Sequence, residues 1–247
     1  MFKVVIPARY ASARLPGKPL LDIAGKPMVI RVAEQAAKSQ ADEVVIATDF
    51  EKIQQVAVEF GVAAVMTRID HMSGTDRIAE VVEKMAWDDD AIVVNVQGDE
   101  PLINPELINE VAMTLAHNRE AVMATACHSI HDETVFLNPN VVKVVMDVNG
   151  NALYFSRAPI PYPRDEVHKQ NISAYRHIGL YAYRVGFLKQ YASLSITELE
   201  KVESLEQLRV LHHGFKIAVT VTENPPASGV DTQTDLDYVR AVFSGAE

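Results

Sequence analysis

The chain has 247 residues, of which 48% are hydrophobic and 23% are charged, a composition typical of a globular protein and not of a disordered one. Its formal net charge of −10 argues against a protein that binds nucleic acid or a membrane surface, because both need a basic footprint. The single cysteine, Cys127, excludes an internal disulfide, and no apolar run approaches the ~18–20 residues that span a bilayer, so we expect a soluble, cytoplasmic protein.

The amino-terminal half alternates between short apolar runs and helical patterns. Strands are predicted at 2–6, 43–47, 62–66 and 91–96, and helices at 28–37, 51–60, 78–85 and 105–117. Pro27 is suited to the first turn of a helix, and Gly61 to the end of one. This alternation predicts an α/β fold with a mostly parallel sheet that is flanked by helices on both faces.

The pattern changes after about residue 120. Asn149-Gly150 separates two apolar runs and predicts a hairpin, and 175–183 is predicted as a further strand. We interpret the region at about 121–190 as a smaller antiparallel extension of the sheet or a small antiparallel subdomain, within a single domain of residues 1–247. A helix at 198–211, a strand at 216–221 and a closing helix at 232–243 complete the chain.

A basic segment follows the first strand, at the edge of the sheet where parallel folds bind ligands. Residues 1–31 contain one acidic residue and six basic ones, namely Lys3, Arg9, Arg14, Lys18, Lys26 and Arg31. The segment is therefore +5 and the remaining chain −15. Charge alone favours a solvated basic loop, whereas the segment's position and its glycine and proline residues favour a ligand site. Guanidinium, ammonium and backbone N–H groups at this edge nevertheless suit a polyphosphate.

Two familiar nucleotide-binding patterns are missing from the sequence. No glycine is followed at the Walker A spacing by Gly-Lys, and no G-x-G-x-x-G occurs. An ATPase or a nicotinamide oxidoreductase therefore loses its main support. A non-catalytic nucleotide-binding protein remains as an alternative from a different class.

Two carboxylates follow predicted strands at the same edge. Asp99 comes after the strand 91–96, where it is placed either to hold magnesium between phosphate oxygens or to form a turn before Pro101. Asp231 precedes the closing helix, and its position alone favours a helix N-cap over a metal ligand.

Seven motifs in this order resemble one known family. They are IPARYASARLPGKPL, HMSGTDRIAE, VNVQGDEP, YFSRAPIP, RHIGLYAY, ESLEQLRVL and SGVDT. Together they cover nearly the whole chain and are similar to the 3-deoxy-manno-octulosonate cytidylyltransferases, or CMP-Kdo synthetases. The resemblance implies a Rossmann-like nucleotidyltransferase fold and an enzyme that couples CTP to the sugar acid Kdo, giving CMP-Kdo and pyrophosphate for lipopolysaccharide biosynthesis.

The resemblance also implies roles for particular residues. Those that match the CTP site are Arg9, Arg14, Lys18, Ser73, Thr75 and Arg77. Those that match the surroundings of Kdo are Gln97, Arg157, Arg164, His177, Tyr181, Glu206 and Gln207. Asp99 and Asp231 match the magnesium ligands and, with Lys18, form the expected catalytic set. This match replaces the N-cap interpretation of Asp231.

Some features of the sequence leave the substrate open. Asp76 stands where family members often carry Glu, and the stretch 165–171 follows no familiar pattern. Glu206 and Gln207 are adjacent on a predicted helix, so only one is expected to point fully inward. The alternative substrate is a related sugar acid, 8-amino-Kdo or a sialic acid. The antiparallel region is a candidate homodimer interface, as dimers are common in the family.

Overall fold

Short strands and helices alternate along the chain, as the sequence predicts. The computed structural model describes residues 1–11, 15–71, 73–165, 173–227 and 229–245. Within these ranges the strands are β1 (Phe2–Ala8), β2 (Asp22–Ile23), β3 (Lys26–Pro27), β4 (Glu43–Thr48), β5 (Ala63–Met66), β6 (Ile92–Asn95), β7 (Ala121–Ile130), β8 (Lys143–Met146), β9 (Ala152–Ser156), β10 (Ala174–Arg184) and β11 (Lys216–Val221). The α-helices are α1 (Met28–Ala36), α2 (Glu51–Glu59), α3 (Gly74–Lys84), α4 (Pro105–His117), α5 (Glu133–Leu137), α6 (Val185–Tyr191), α7 (Glu198–Glu203), α8 (Gln207–His212) and α9 (Gln233–Ser244).

The central sheet has the strand order β11-β7-β10-β6-β1-β4-β5. Strand β1 runs parallel to β4 and β6, β4 runs parallel to β5, and β11 runs parallel to β7. Strand β10 is antiparallel to both of its neighbours, β6 and β7. The short strands β2 and β3 form a separate antiparallel pair. The predicted α/β class, with a mostly parallel sheet flanked by helices, is confirmed.

The region 121–190 forms an antiparallel extension of the sheet, which is one of the two forms that the sequence predicts for it. Its long strands β7 and β10 are inner strands of the central sheet, and the hairpin of β8 and β9 lies off the main strand order. The hairpin itself forms at the predicted turn, where Gly150 has φ 76°. Antiparallel pairing therefore extends the central sheet, as the predicted fold class expects.

The side chains of β1 alternate between two cores, one on each face of the sheet. Val4 and Ile6 pack with buried residues of α1, α2 and α4, whereas Val5 packs with residues of α3, α6 and α8. Successive residues of a strand point to opposite faces, so a continuous apolar strand fills both cores. Both faces of the sheet are thus covered, and its edge at the carboxyl ends of β1 and β6 is left for a site.

The helix predicted at 198–211 is wrong as a single element. Ser204 has φ 51° in the left-handed region, which ends α7 and begins a turn into α8. The Thr197–Glu200 capping box starts α7, and Glu206 is the residue that precedes α8. The break turns the chain sharply next to two of the predicted site residues.

Helix starts elsewhere follow side chains that cap the free N–H groups of the first turn. Asn104 accepts from the Glu106 N–H at the start of α4, and Thr232 forms a capping box with Asp235 at the start of α9. Over the described ranges, no helix combines the length and the apolar character that a membrane span requires.

Candidate active site

A cavity of about 420 Å³ opens where β1 and β6 end. Its described lining residues come from the ends of β1 and β6, from α3, from β7 and β10, from the end of α6, and from α8 and the turn before it. They are Pro7, Arg9, Gly74, Thr75, Asn95, Gln97, Met123, His177, Tyr181, Tyr183, Tyr191, Ser204, Leu205, Glu206, Gln207 and Val210. Seven of the residues predicted for the site are therefore brought together, namely Arg9, Thr75, Gln97, His177, Tyr181, Glu206 and Gln207.

Gly98 allows the two strand ends to approach each other closely. A Cβ atom at this position would lie 2.7 Å from the carbonyl oxygen of Pro7, closer than backbone atoms tolerate. Val96 also donates its N–H to the Val5 carbonyl, which continues the pairing past β6. The backbone therefore carries Gln97 and the residues after it across the end of β1.

Lys18 joins the two predicted metal carboxylates. Its Nζ lies 2.6 Å from an Asp99 oxygen and 3.1 Å from an Asp231 oxygen. The Val230 N–H donates to the Asp99 carbonyl at 2.8 Å, so backbone pairing also holds the two segments together. The lysine side chain is 12% exposed, whereas the Asp99 and Asp231 side chains are 36% and 45% exposed. The carboxylates thus meet beside a cation and still present surface to solvent.

Asp231 is not the N-cap of the closing helix. Thr232 holds that position, and its hydroxyl accepts from the Asp235 N–H in a reciprocal capping box. The Asp231 N–H donates to the Asp235 carboxylate instead. The helix start therefore fixes the Asp231 backbone and leaves its side chain directed at Lys18.

The basic segment packs against the turn that follows β4. The Tyr10 ring stacks on Phe50 with centroids 4.0 Å apart. Gly17, with φ 66° in the left-handed region, precedes the short 3-10 turn Lys18–Leu20. Arg9 is exposed and lines the cavity. Arg14, predicted to support the same loop, lies outside the described residues.

Arg77 and Ser73 support the start of α3 and do not line the cavity. The Arg77 guanidinium is buried, donates to Asp49 at 2.8 Å, and also bonds Thr67. Ser73 is the N-cap of α3 and forms a capping box with Asp76, the residue that departs from the pattern expected of the family. These contacts hold the backbone next to Gly74 and Thr75, which do line the cavity.

The two arginines predicted near the sugar acid also lie outside the cavity lining. Arg157 donates to the carbonyls of Glu203, Pro139 and Ser204. These bonds hold the backbone at the break between α7 and α8. Arg164 is exposed, and residues 166–172, which follow it closely, lie outside the described residues. Its place at the sugar acid stays a prediction.

One side of the cavity is dominated by neutral polar groups. Burial lowers the pKa of His177 to about 3, so its ring is uncharged, and it contacts Thr125 Oγ1 at 3.1 Å. Burial raises the pKa of Tyr181 well above its usual value and also raises that of Tyr183, so both phenols keep their protons. Burial, followed by the Asp76 charge, raises the pKa of the Glu206 carboxyl.

Comparison with known proteins identifies the family. A family model described as cytidylyltransferase matches residues 3–217. A curated 3-deoxy-manno-octulosonate cytidylyltransferase of Neisseria gonorrhoeae is 58% identical over 98% of each chain, and one of Neisseria meningitidis serogroup B is 57% identical over the same shares. The chain belongs to the 3-deoxy-manno-octulosonate cytidylyltransferase family. This membership makes it a nucleotidyltransferase.

Solved structures agree with this cytidylyltransferase fold. A CMP:2-keto-3-deoxy-manno-octonic acid synthetase complexed with CTP superposes with a TM-score of 0.92, at 42% identity and 100% coverage of both chains. A cytidylyltransferase from Leptospira borgpetersenii has a TM-score of 0.64 at 16% identity and covers 99% of this chain and 87% of its own. The second likeness concerns the fold alone.

The cavity of this cytidylyltransferase also includes residues that the sequence analysis missed. Asn95, Tyr183 and Tyr191 line it, and Arg209 lies over the Tyr191 ring at 4.7 Å. Asn95 has a visible signal, because it is a polar residue at the end of an apolar strand at the ligand edge. Tyr191 has none, because α6 is brought to the cavity by its packing on α3 and β10.

Proposed function

We propose that this chain transfers the cytidylyl group of CTP to the anomeric hydroxyl of Kdo, which gives CMP-Kdo and pyrophosphate. The observation that carries the proposal is the meeting of Lys18, Asp99 and Asp231 beside a cavity with neutral polar walls. Gln97 lines the cavity two residues before Asp99, so the charged cluster and the cavity belong to one site. The family's named relatives support the same substrates.

The reaction needs positive charge because both reactants are anions. The sugar hydroxyl attacks the α-phosphorus in line with departing pyrophosphate, and charge grows on the leaving oxygen. Arg9 is the arginine among the described lining residues, and Lys18 lies beside Asp99. We assign both to the triphosphate, with Arg14 as the predicted third cation. Holding hydroxyl and phosphorus together supplies much of the remaining acceleration.

The residues present fit a magnesium ion. Magnesium is usually held by one or two carboxylates together with substrate phosphates. Asp99 and Asp231 both reach the Lys18 ammonium and keep solvent-exposed surface, and the described residues contain no cluster of three or more metal-ligating side chains. We propose that these two aspartates hold the ion. When bound, magnesium would neutralise phosphate charge and align the triphosphate.

The neutral wall of the cavity is suited to a polyhydroxylated substrate. His177 and the two tyrosines cannot supply a compensating charge at neutral pH, but each can exchange hydrogen bonds with hydroxyl groups. Glu206 contributes the acidic group on this side, near Thr75 Oγ1 at 3.5 Å. We propose that this wall holds the sugar acid and excludes water from the reacting hydroxyl.

Pyrophosphate release from CTP with purified protein tests the proposal. We expect release that requires both Kdo and magnesium, stops with a chelator and returns when magnesium is restored. Parallel reactions with 8-amino-Kdo and a sialic acid separate the close alternatives. A non-catalytic nucleotide-binding protein would bind CTP in a calorimeter and release no pyrophosphate with any acid.

We also propose that the protein works as a homodimer. Val148 and Leu153 on the β8–β9 hairpin are 99% and 62% exposed, and Val221 on β11 is 48% exposed. The Asn151–Ala218 bridge joins the hairpin to β11, so these exposed residues lie on neighbouring elements. Such exposed apolar surface is typical of association sites. Light scattering should give twice the chain mass, and Leu153→Lys should shift it towards the monomer.

The cytoplasmic location stays a prediction. Cys127 is buried in β7, and burial raises the pKa of its thiol to about 12, so it is an inert side chain. Fractionation of the native host with an antibody would test the location.

A further inference from the structure

Two buried polar atoms in the cavity wall have no hydrogen-bond partner within the described residues. They are Oδ1 of Asn95 and Nε2 of Gln207. Asn95 is 3% exposed and Gln207 is 6% exposed, and both line the cavity. Buried polar groups in native proteins are nearly always paired, because an unpaired group has lost its water without compensation. One of these atoms accepts a hydrogen bond and the other donates.

The fold places Asn95 on the side of the cavity that we assign to the sugar acid. Asn95 pairs directly with Tyr181 in the antiparallel register of β6 and β10, so the two side chains project from the same face of the sheet. Tyr183 also lines the cavity, two residues after Tyr181 on the same strand and therefore on the same face. Gly74 lies next to the Asn95 side chain, because a Cβ built on it would be 4.0 Å from the Asn95 amide nitrogen.

We propose that Asn95 is a specificity-determining residue, whose Oδ1 accepts a hydrogen bond from a hydroxyl of the sugar acid while Gln207 donates to a substrate oxygen. This inference rests on the proposed function and adds Asn95 to the residues that the family resemblance assigns. A hydroxyl group can donate and accept, so a polyol satisfies both atoms. An ammonium group can only donate, and a deoxygenated carbon can do neither. Removal of the hydroxyl that faces Asn95 therefore leaves Oδ1 unpaired, and an ammonium in place of the oxygen that faces Gln207 leaves Nε2 unpaired.

The primary variant is Asn95→Leu, which removes the acceptor and keeps the branched shape of the side chain. We expect kcat/KM for the sugar acid to fall about 10- to 100-fold, mainly through KM, while KM for CTP stays within about twofold. Asn95→Ser, which keeps a shorter polar group, should also lower kcat/KM for the sugar acid. This variant replaces Asn95→Leu as the test if leucine disturbs folding. The matched control is Asn109→Leu, because Asn109 is equally buried but is paired with Gln40 and Glu106. This control should lower stability and leave KM for the sugar acid unchanged.

Substrate analogues separate a direct contact from a structural role. Kdo derivatives that each lack one hydroxyl are assayed with wild type and Asn95→Leu. If Asn95 binds a hydroxyl, the defect of the variant should largely disappear with the one derivative that lacks it. An equal defect with every derivative, or an equal rise in KM for CTP, would assign Asn95 a structural role and overturn the inference.

The result also distinguishes this inference from the proposed function. An active wild type whose sugar-acid kinetics do not change in Asn95→Leu or Asn95→Ser overturns the role of Asn95 alone. A wild type that releases no pyrophosphate from CTP with any sugar acid overturns both.

Discussion

Lys18 and Asp99 are 81 residues apart in sequence, and their charged atoms lie 2.6 Å apart. The contact connects the basic segment after β1 to the acidic turn after β6. Each partner lies beyond the end of a neighbouring parallel strand, so the sheet itself brings them together. Asp231 joins the same lysine from the start of α9.

Replacement of Asp99 tests its role in catalysis. Asp99→Asn keeps the shape but removes the charge that is proposed to hold magnesium, so we expect kcat to fall at least about 100-fold with the fold intact. Pyrophosphate release measures kcat, and circular dichroism checks the fold. The control is Asp89→Asn, which breaks an exposed aspartate–lysine pair with Lys189 far along the chain. Near-wild-type activity of Asp99→Asn would remove Asp99 from the metal site.

Loss of Arg77 should destabilise the protein more than loss of a surface ion pair. Arg77→Met leaves the Asp49 carboxylate buried without its partner, and we expect the free energy of unfolding to fall by about 3–5 kcal/mol. KM for CTP should rise as well, because Arg77 supports the start of α3. Denaturant unfolding gives the free energy, and Arg77→Met with Asp49→Leu should recover much of it. The control Lys189→Met, which removes a surface ion pair, should lower the free energy of unfolding by less than about 1 kcal/mol. An equally small loss in Arg77→Met would contradict the role of the buried pair.

The left-handed backbone of Ser204 makes opposite predictions for two substitutions. Ser204→Gly removes the steric conflict at φ 51° and should raise the melting temperature, by an amount equivalent to about 1 kcal/mol. Ser204→Val adds a β-branched side chain and should lower it, and should also raise KM for the sugar acid by displacing Glu206 and Gln207. Calorimetry and steady-state kinetics measure the two effects. Equal melting temperatures would show that the break does not depend on this residue.

The uncharged His177 should make the protein sensitive to acid. Its pKa is about 3 in the folded state against an ordinary value of 6.5. Between these two pH values the ring is therefore protonated in the unfolded chain and uncharged in the folded chain. The free energy of unfolding should therefore fall as pH drops below 6.5, by at most about 1.4 kcal/mol per unit from this group. His177→Gln should flatten that slope in denaturant unfolding between pH 6.5 and 4. At pH 8, where His177 is neutral in both states, the difference between wild type and variant measures the effect of the substitution on packing alone. An unchanged pH dependence of the free energy of unfolding in the variant would show that His177 is not responsible for the acid sensitivity.

The elements whose pattern is local were predictable. The helix at Pro105–His117 and the strand at Lys216–Val221 have the predicted bounds, because caps and apolar runs lie within the segments themselves. The predicted helix at 198–211 failed because nothing in its sequence shows that Ser204 adopts a left-handed conformation. That break also explains why Glu206 and Gln207 both line the cavity, where a continuous helix would have directed one of them away.

The sequence by itself determined the α/β class, the uneven distribution of charge and the family. The spacing of apolar residues, the composition and the motifs can all be read from the order of residues without knowledge of the tertiary contacts. Only the tertiary structure decided which charged residues meet at the predicted site. Arg77 and Arg157 are bound to protein groups, whereas Lys18 reaches both aspartates. A motif places a residue near a site, but the direction of its side chain depends on partners that are distant in sequence. Packing supplied those partners, and it also brought Asn95 into the cavity wall.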